Sequence, residues 1–273
     1  MKEVAFQRRY GSWAVVTGAS DGIGREFARE LAGRGLNLVL VARRQAELQS
    51  LCRELSAEHG VECTAHAIDL STRAGCLAVA QLSEELDVGL LVAAAGFGTS
   101  GNFIDESLET ERNMLAVNCA AVLDLTWHCA RRFAARGRGG VVLLSSIVAF
   151  QGVGRSANYA ATKAWVQTFA EGLQMELGPV GVDVVAVAPG PVTSGFGARA
   201  KMDLGRAMPA SLVAGEALDA LGRRGLVRPG GLSKLLGWSL ATMPRWGRVR
   251  VMSRIMGSMT APRRPVAASE EAA

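Results

Sequence analysis

The sequence predicts an α/β fold, a doubly wound parallel sheet in a single domain, and three observations predict it. Apolar, strand-like runs alternate with stretches of helical patterning through the first 230 residues, as expected when helices cover both faces of a parallel sheet. The runs are nearly continuously apolar, which burial on both sides requires. A chain of 273 residues with 49% hydrophobic and 20% charged side chains is large enough to bury such a core.

The first run, "WAVVTG", leads into "TGASDGIG", Thr17 to Gly24, and then the helix-like "REFARELAGRG". Glycines at a strand-to-helix turn let the backbone approach a pyrophosphate, and the following helix offers unpaired N–H groups; otherwise this is a plain turn. The second run, "LNLVLVA", ends at Ala42 and is followed by Arg43 and Arg44. A carboxylate there would bond the ribose 2′-hydroxyl of NADH, whereas an arginine accommodates a 2′-phosphate. NADPH is therefore favoured, mainly on Arg43. Arg44 equally suits the opening of the next helix, and Arg25 can add to a phosphate site. The third run, "VECTAHAI", precedes Asp69 and "STRAG", where Asp69 also suits a helix N-cap. "GLLVAAAG", "GVVLLSS", "VDVVAVAPG" and a weaker "GLVRPG" complete the series. No repeat or linker interrupts it, so residues 1–231 read as the catalytic domain and 232–273 as a basic amphipathic C-terminal extension.

The stretch "SANYAATKAW", residues 156–165, is alanine-rich and free of proline and glycine, so helix is its natural state. Tyr159 and Lys163, four apart, lie one above the other on it. By themselves they are either an ordinary surface pair or an acid whose proton affinity the ammonium sets.

Composition narrows the function classes. Cys52, Cys63, Cys76, Cys119 and Cys129 form no C-x-x-C pair and no apolar signal segment precedes them, which predicts free thiols in a reducing, cytoplasmic setting. His59, Cys63 and His66 lack a fourth ligand, so no metal is expected. Of the net charge of +5, all comes from residues 232–273, which hold Lys234, Arg245, Arg248, Arg250, Arg254, Arg263 and Arg264 against Glu270 and Glu271. That uneven placement and the low aromatic content argue against a nucleic-acid partner.

Six elements in order, "TGASDGIG", "AAAG", Asn118 in "VNCAA", Ser146 in "LLSS", "YAATK" and "PGPVT", resemble the motifs of the short-chain dehydrogenase/reductase family over residues 10–195. The opening "YGSWAVVTGASDGIG" and "LVLVARR" are most similar to the branch of 3-oxoacyl-CoA reductases and 17β-hydroxysteroid dehydrogenases. The membrane span common in eukaryotic members is missing, since no run approaches the roughly 18 apolar residues a span needs. The resemblance implies a Rossmann-type sheet and a catalytic tetrad of Asn118, Ser146, Tyr159 and Lys163. Ser146 would bond the substrate carbonyl. Tyr159 would be the general acid, its pKa lowered by Lys163 and by the oxidised nicotinamide. Lys163 would also hold the nicotinamide ribose, and Asn118, in a kinked helix, would anchor a water leading to solvent. By the same resemblance NADP(H) would meet Thr17, Gly18, Ser20, Asp21, Gly22, Ile23 and Gly24 at the turn and Arg43 and Arg44 at the 2′-phosphate. Asp69 and Leu70 would meet the adenine and Ala95 and Gly96 the adenosine ribose, with Tyr159 and Lys163 at the nicotinamide end. Pro189, Gly190, Val192 and Thr193 would surround the carboxamide. Ala93 and Ala94 stand where the family pattern has asparagines, removing side-chain bonds near the fourth strand.

The segment after "PGPVT" carries Phe196, Met202, Leu204 and Met208, which suit either a greasy substrate under a flap or simple core packing; Phe150 and Gln151 join them as pocket candidates. In the extension, Val249, Met252, Met256 and Met259 recur at helical steps between arginines. Such a helix lies on a membrane surface, covers the cleft or packs in a subunit interface. The expected protein reduces a hydrophobic ketone, a 3-oxoacyl thioester or steroid-like, to a secondary alcohol with NADPH, as a homodimer or homotetramer in the cytoplasm or at a membrane surface. The alternatives are a regulatory cofactor-binding protein with little turnover and a tail-anchored peripheral membrane protein.

Overall fold

The computed structural model describes residues 2–205 and 207–260; Arg263, Arg264, Glu270 and Glu271 of the basic extension lie outside the described residues. Seven strands form one parallel sheet: β1 (Trp13–Thr17), β2 (Asn37–Ala42), β3 (Cys63–Ala67), β4 (Val88–Ala93), β5 (Gly139–Leu144), β6 (Val182–Val187) and β7 (Leu226–Val227). Their order is β3-β2-β1-β4-β5-β6-β7, with every pairing parallel. All seven predicted runs are strands of this doubly wound sheet. The order reverses between β1 and β4, which opens a crevice beyond their carboxyl ends, where such sheets take their ligands.

The helices are α1 (Lys2–Tyr10), α2 (Gly22–Gly33), α3 (Gln45–His59), α4 (Arg73–Glu85), α5 (Leu108–Leu115), α6 (Ala121–Ala135), α7 (Ala157–Leu177), α8 (Phe196–Ala200), α9 (Ala210–Ala220), α10 (Gly231–Ala241) and α11 (Arg245–Met259). Every residue of β1, β4 and β5 is buried. Phe27, Leu31 and Val213 pack one sheet face against α2 and α9, and Leu125, Phe133 and Val166 pack the other against α6 and α7. Each such side chain contributes roughly 1.5–3 kcal/mol by leaving water. β3, at the sheet edge, is only partly buried.

Helix α1 has no counterpart in the predicted series. It is fastened to β6, where Arg9 Nε and Nη2 donate to Asp183 at 2.5 and 2.7 Å and the Tyr10 hydroxyl donates to the same carboxylate at 2.7 Å. A third apolar cluster joins Ile147, Val148, Val153 and Ala160 to Leu240 of α10 and Met252 and Met256 of α11. The methionine stripe of the extension thus faces the cleft. No helix among the described residues is long and apolar enough to cross a membrane.

Candidate active site

The crevice is a cavity of about 620 Å³ at the carboxyl ends of β1, β2, β4, β5 and β6, walled outside by α8, α10 and α11. Behind the cavity lining the buried Thr17 hydroxyl accepts from Ala95 N at 3.0 Å and donates to the Val92 carbonyl at 3.4 Å. That stitch ties β1 to the end of β4 beside Ala93 and Ala94. Gly18 has φ +68°, and a Cβ there would stand 2.9 Å from Ala95 N and Cα; at Gly24 it would stand 2.4 Å from the Gly18 carbonyl oxygen. Only glycine fits either place.

Asp21 caps α2, accepting from Gly22 N at 2.7 Å, and its second oxygen accepts from Gly195 N at 3.0 Å, tying the turn to the segment bearing α8. Arg44 donates to the Ser20 hydroxyl and carbonyl at 3.2–3.3 Å and pairs with Glu47 at 3.6 Å. It therefore braces the turn while lining the cavity, and Arg43 lines the cavity beside it without an acidic partner at ion-pair distance among the described residues. Arg25 departs from the expectation of a phosphate contact: it pairs with Glu54 of α3 at 3.6 Å and is no part of the cavity wall. Asp69 is not the N-cap of α4. That role belongs to Thr72, which accepts from Gly75 N at 3.0 Å, while Asp69 accepts from Ser71 N at 2.9 Å and stays on the wall with Leu70. The Ser71 backbone bond holds its carboxyl below the usual range, with a smaller contribution from Arg43.

The tetrad residues converge, in two layers. Asn118 lies in a π-helical turn, Ala116–Ala120, fully buried behind the wall. Its amide donates to the Phe97 carbonyl at 2.9 Å and the Thr162 hydroxyl at 3.0 Å, and its oxygen accepts from Phe97 N at 3.1 Å. Ser146, Tyr159 and Lys163 line the cavity itself. Lys163 Nζ donates to the Leu144 carbonyl at 2.7 Å and stands 5.8 Å from the centre of the Tyr159 ring. The expected lowering of the Tyr159 pKa by Lys163 is not found. Burial pushes the phenol up to about 12 against a hydrogen bond with Ser146, and burial brings Lys163 down to about 8, with Cys119 opposing. Loss of water outweighs the neighbouring charge because the ammonium is directed at Leu144.

Gly18, Ser20, Asp21, Gly22, Ile23, Gly24, Ala95, Gly96, Pro189, Gly190 and Val192 share the wall, whereas Thr17 and Thr193 do not. Thr193 is exposed, its N–H donated to the Met208 carbonyl at 2.9 Å. Beyond Tyr159 the wall turns apolar. Phe196 (ring centres 5.4 Å from Tyr159), Met202 and Leu204 line it, while Met208 packs into the core. Phe150 and Gln151 do not line it: Arg228 covers the Phe150 ring, and Gln151 is buried, donating to the Ile147 carbonyl at 3.2 Å. Unforeseen in sequence were Ile147, Val148, Leu232, Leu236 and Ile255, and also Arg199 of α8, whose guanidinium sits 3.8 Å over the Phe97 ring. Among the described residues no three His, Cys, Asp or Glu side chains converge as for a metal; Cys63 instead meets Cys52, and His66 meets Thr64.

The family model for short chain dehydrogenase matches residues 12–204. The chain belongs to the short chain dehydrogenase family. Among relatives of this short chain dehydrogenase is a very-long-chain 3-oxoacyl-CoA reductase of Podospora anserina, 38% identical over 185 residues, 65% of this chain and 54% of that protein. A 7beta-hydroxysteroid dehydrogenase of Collinsella aerofaciens is 31% identical, covering 67% of this chain and 70% of its own. Among solved structures, a short-chain dehydrogenase from Sphingobium yanoikuyae in complex with NADPH superimposes with a TM-score of 0.77 at 31% identity, covering 85% of this chain and 96% of that one. The chain spans about half the length of the fungal reductase it matches. Helices α9, α10 and α11 lie beyond the family match.

Proposed function

We propose that this short chain dehydrogenase is an NADPH-dependent reductase that converts a hydrophobic ketone, a 3-oxoacyl thioester or a steroid-like ketone, to a secondary alcohol. One observation carries the reading. Ser146, Tyr159 and Lys163 open on the same cavity as the Gly18–Gly24 turn and Arg43, and the wall beyond Tyr159 is apolar. The names of the fungal and bacterial relatives and the NADPH complex support it.

The residues fit the cofactor. A cradle that a Cβ at Gly18 or Gly24 would fill suits a pyrophosphate, with Ser20, Gly22 and Ile23 around it. Arg43, with no acidic partner at ion-pair distance among the described residues, suits the 2′-phosphate. Asp69 and Leu70 would hold the adenine, Ala95 and Gly96 the adjoining ribose, and Pro189, Gly190 and Val192 the carboxamide. When bound, NADPH supplies the hydride that reduces the carbonyl carbon.

The chain's own groups handle the oxygen and the proton. The Ser146 hydroxyl and the Tyr159 phenol both donate to the substrate's carbonyl oxygen, and the phenol then gives up its proton. A phenol pushed up to about 12 keeps that proton at neutral pH, the form a general acid needs. Lys163, with a pKa near 8, is still largely charged at neutral pH and favours the phenolate left behind. Its two remaining N–H bonds suit ribose hydroxyls. Both donors of the Asn118 amide are engaged, so its side chain positions α7 against Phe97, and a relay water would meet its neighbouring backbone. Exposed Leu115, Leu123, Trp127 and Met175 on α5, α6 and α7 suit a homodimer or homotetramer contact.

The test is NADPH oxidation with a panel of acyl thioesters, steroids and small carbonyls, beside Tyr159→Phe. Turnover confined to bulky apolar ketones and abolished in Tyr159→Phe is expected. Equal rates in the variant, or a preference for small polar carbonyls, would overturn the reading.

A further inference from the structure

Helices α10 and α11 wall the cleft on one side, and the side they turn away from it combines apolar exposure with unpaired positive charge. Leu232, Leu235 and Trp238, three residues apart on α10, are 50%, 60% and 71% exposed, and Trp246 just across the turn is 64% exposed. Every residue from Ala241 to Trp246 is exposed, so this corner projects from the molecule. Around it stand Arg245, Arg248, Arg250 and Arg254, none with an acidic partner at ion-pair distance among the described residues; the one lysine there, Lys234, is paired with Glu216. Between Asp219 and Glu270 the chain has no acidic residue at all. The Arg250 guanidinium lies 5.3 Å from the Trp246 ring, a cation beside an aromatic one helical turn away.

We propose that this corner docks on the surface of an anionic lipid bilayer, with Trp238, Trp246 and Leu235 entering the headgroup boundary and the arginines meeting lipid phosphates. Tryptophan suits that boundary because its ring is apolar and its N–H polar. The long arginine stems reach upward to the headgroups. The inward stripe of α11 is already taken: Met252 and Met256 are 4% and 5% exposed against the cleft. The bilayer contact therefore uses the corner rather than the face that the periodicity of α11 marks.

Charge selects the occupant. A second copy docking through a two-fold axis would set this patch against itself, arginine facing arginine with no carboxylate to intervene. An anionic membrane offers a continuous negative surface above an apolar layer, the two chemistries that the corner presents. Leu232 belongs both to the exposed patch and to the cavity wall, so docking brings the apolar end of the cleft to the lipid. On the reductase reading, a bilayer-dissolved ketone would meet the cleft there; docking itself does not depend on that reading.

Flotation of the full chain with phosphatidylcholine vesicles, with and without phosphatidylserine, tests the proposal. The chain should float only with phosphatidylserine present. Trp238→Ala/Trp246→Ala should lower the bound fraction by about tenfold or more. Arg245→Gln/Arg250→Gln should weaken binding by about fivefold for each arginine, corresponding to about 1 kcal/mol apiece. Leu77→Ala, removing an exposed apolar side chain on α4, should leave flotation unchanged, and circular dichroism should report native folds throughout. Failure of the native chain to float with phosphatidylserine would overturn the proposal, as would equal loss in Leu77→Ala. So would sedimentation showing a dimer that the Trp238/Trp246 variant dissociates. Flotation is read without cofactor or substrate, so its failure leaves the reductase reading intact, and an inactive enzyme leaves flotation intact.

Discussion

Alanine at Gly98 would set a methyl group between the Tyr159 phenol, the proposed acid, and the flap. Its Cβ would stand 2.9 Å from Tyr159 Cδ2 and 2.9 Å from Phe196 Cζ. Unstrained carbon contacts begin near about 3.5 Å, so the ring or the flap must retreat by roughly 0.6 Å. Gly98 is not among the glycines with positive φ, so alanine suits its backbone and the chain should fold. It does not line the cavity, so NADPH affinity should stay within about twofold of native, since no cofactor contact is altered. Misplacing a reacting group by about 1 Å costs around a hundredfold in rate; the smaller shift predicts a kcat loss of about tenfold to fiftyfold, or roughly 1.4–2.3 kcal/mol. The assay is steady-state reduction of the best ketone, with NADPH affinity from cofactor fluorescence. Because the loss acts through the phenol, Gly98→Ala should add almost nothing in a Tyr159→Phe background. A native kcat in a folded Gly98→Ala, or an undiminished loss in the double variant, would refute the reasoning.

Replacing Arg43 by Asp should turn the preference from NADPH to NADH, read from the ratio of the two kcat/KM values; an unchanged ratio would move selection elsewhere, Arg199 being the nearest candidate. Lys163 bears on stability. Its folded pKa is depressed to about 8, so between that value and the unfolded value near about 10.4 the unfolded chain binds more protons and stability rises with pH. From pH 8 to 9.5 the rise should be about 1.5 kcal/mol relative to Lys163→Met, measured by urea unfolding; parallel profiles for the two proteins would contradict the burial effect. Truncating Met252 and Met256 together to alanine removes two side chains that are 4% and 5% exposed. It should lower stability by about 2–5 kcal/mol for each methionine, and raise the KM for a bulky ketone more than that for NADPH. Equal changes in both KM values would make α11 a brace rather than a substrate wall.

The seven strands and the glycine turn were legible because each reports on backbone and burial, which local sequence controls. Val and Leu without interruption predict a doubly covered strand, and Gly18 and Gly24 stand where no Cβ fits. That Ser146, Tyr159 and Lys163 share one cavity was legible only through resemblance, since Tyr159 and Lys163 at helical spacing look like any surface pair. What escaped was decided by distant partners. Arg25 and Arg43 are both arginines near a predicted phosphate site, yet Arg25 is drawn off by Glu54, 29 positions along the chain. Asp69 read as an N-cap, but the helix begins one turn later at Thr72. The helical stripe of α11 was legible as a stripe, and nothing local told which surface it meets. Helix α1 escaped because its anchor, Asp183, lies on β6.

Charge state is the part of the site that motifs describe least. The pair Tyr159 and Lys163 suggests an ammonium lowering a phenol, but in the folded chain both groups shift toward neutrality, the phenol up and the amine down. One cause explains both directions, because withdrawal from water penalises whichever form is charged. The opposing influences are few: a hydrogen bond with Ser146 for the phenol, and Cys119 for the amine. The phenol therefore holds its proton at neutral pH, the form in which a donor is used. The clamp of Asn118 joins the segment after β4 to α7, with two buried hydrogen bonds to Phe97 and one to Thr162, each costly to leave unmade. It holds the helix that carries both groups against the wall, while the four-residue spacing along α7 sets the distance between them.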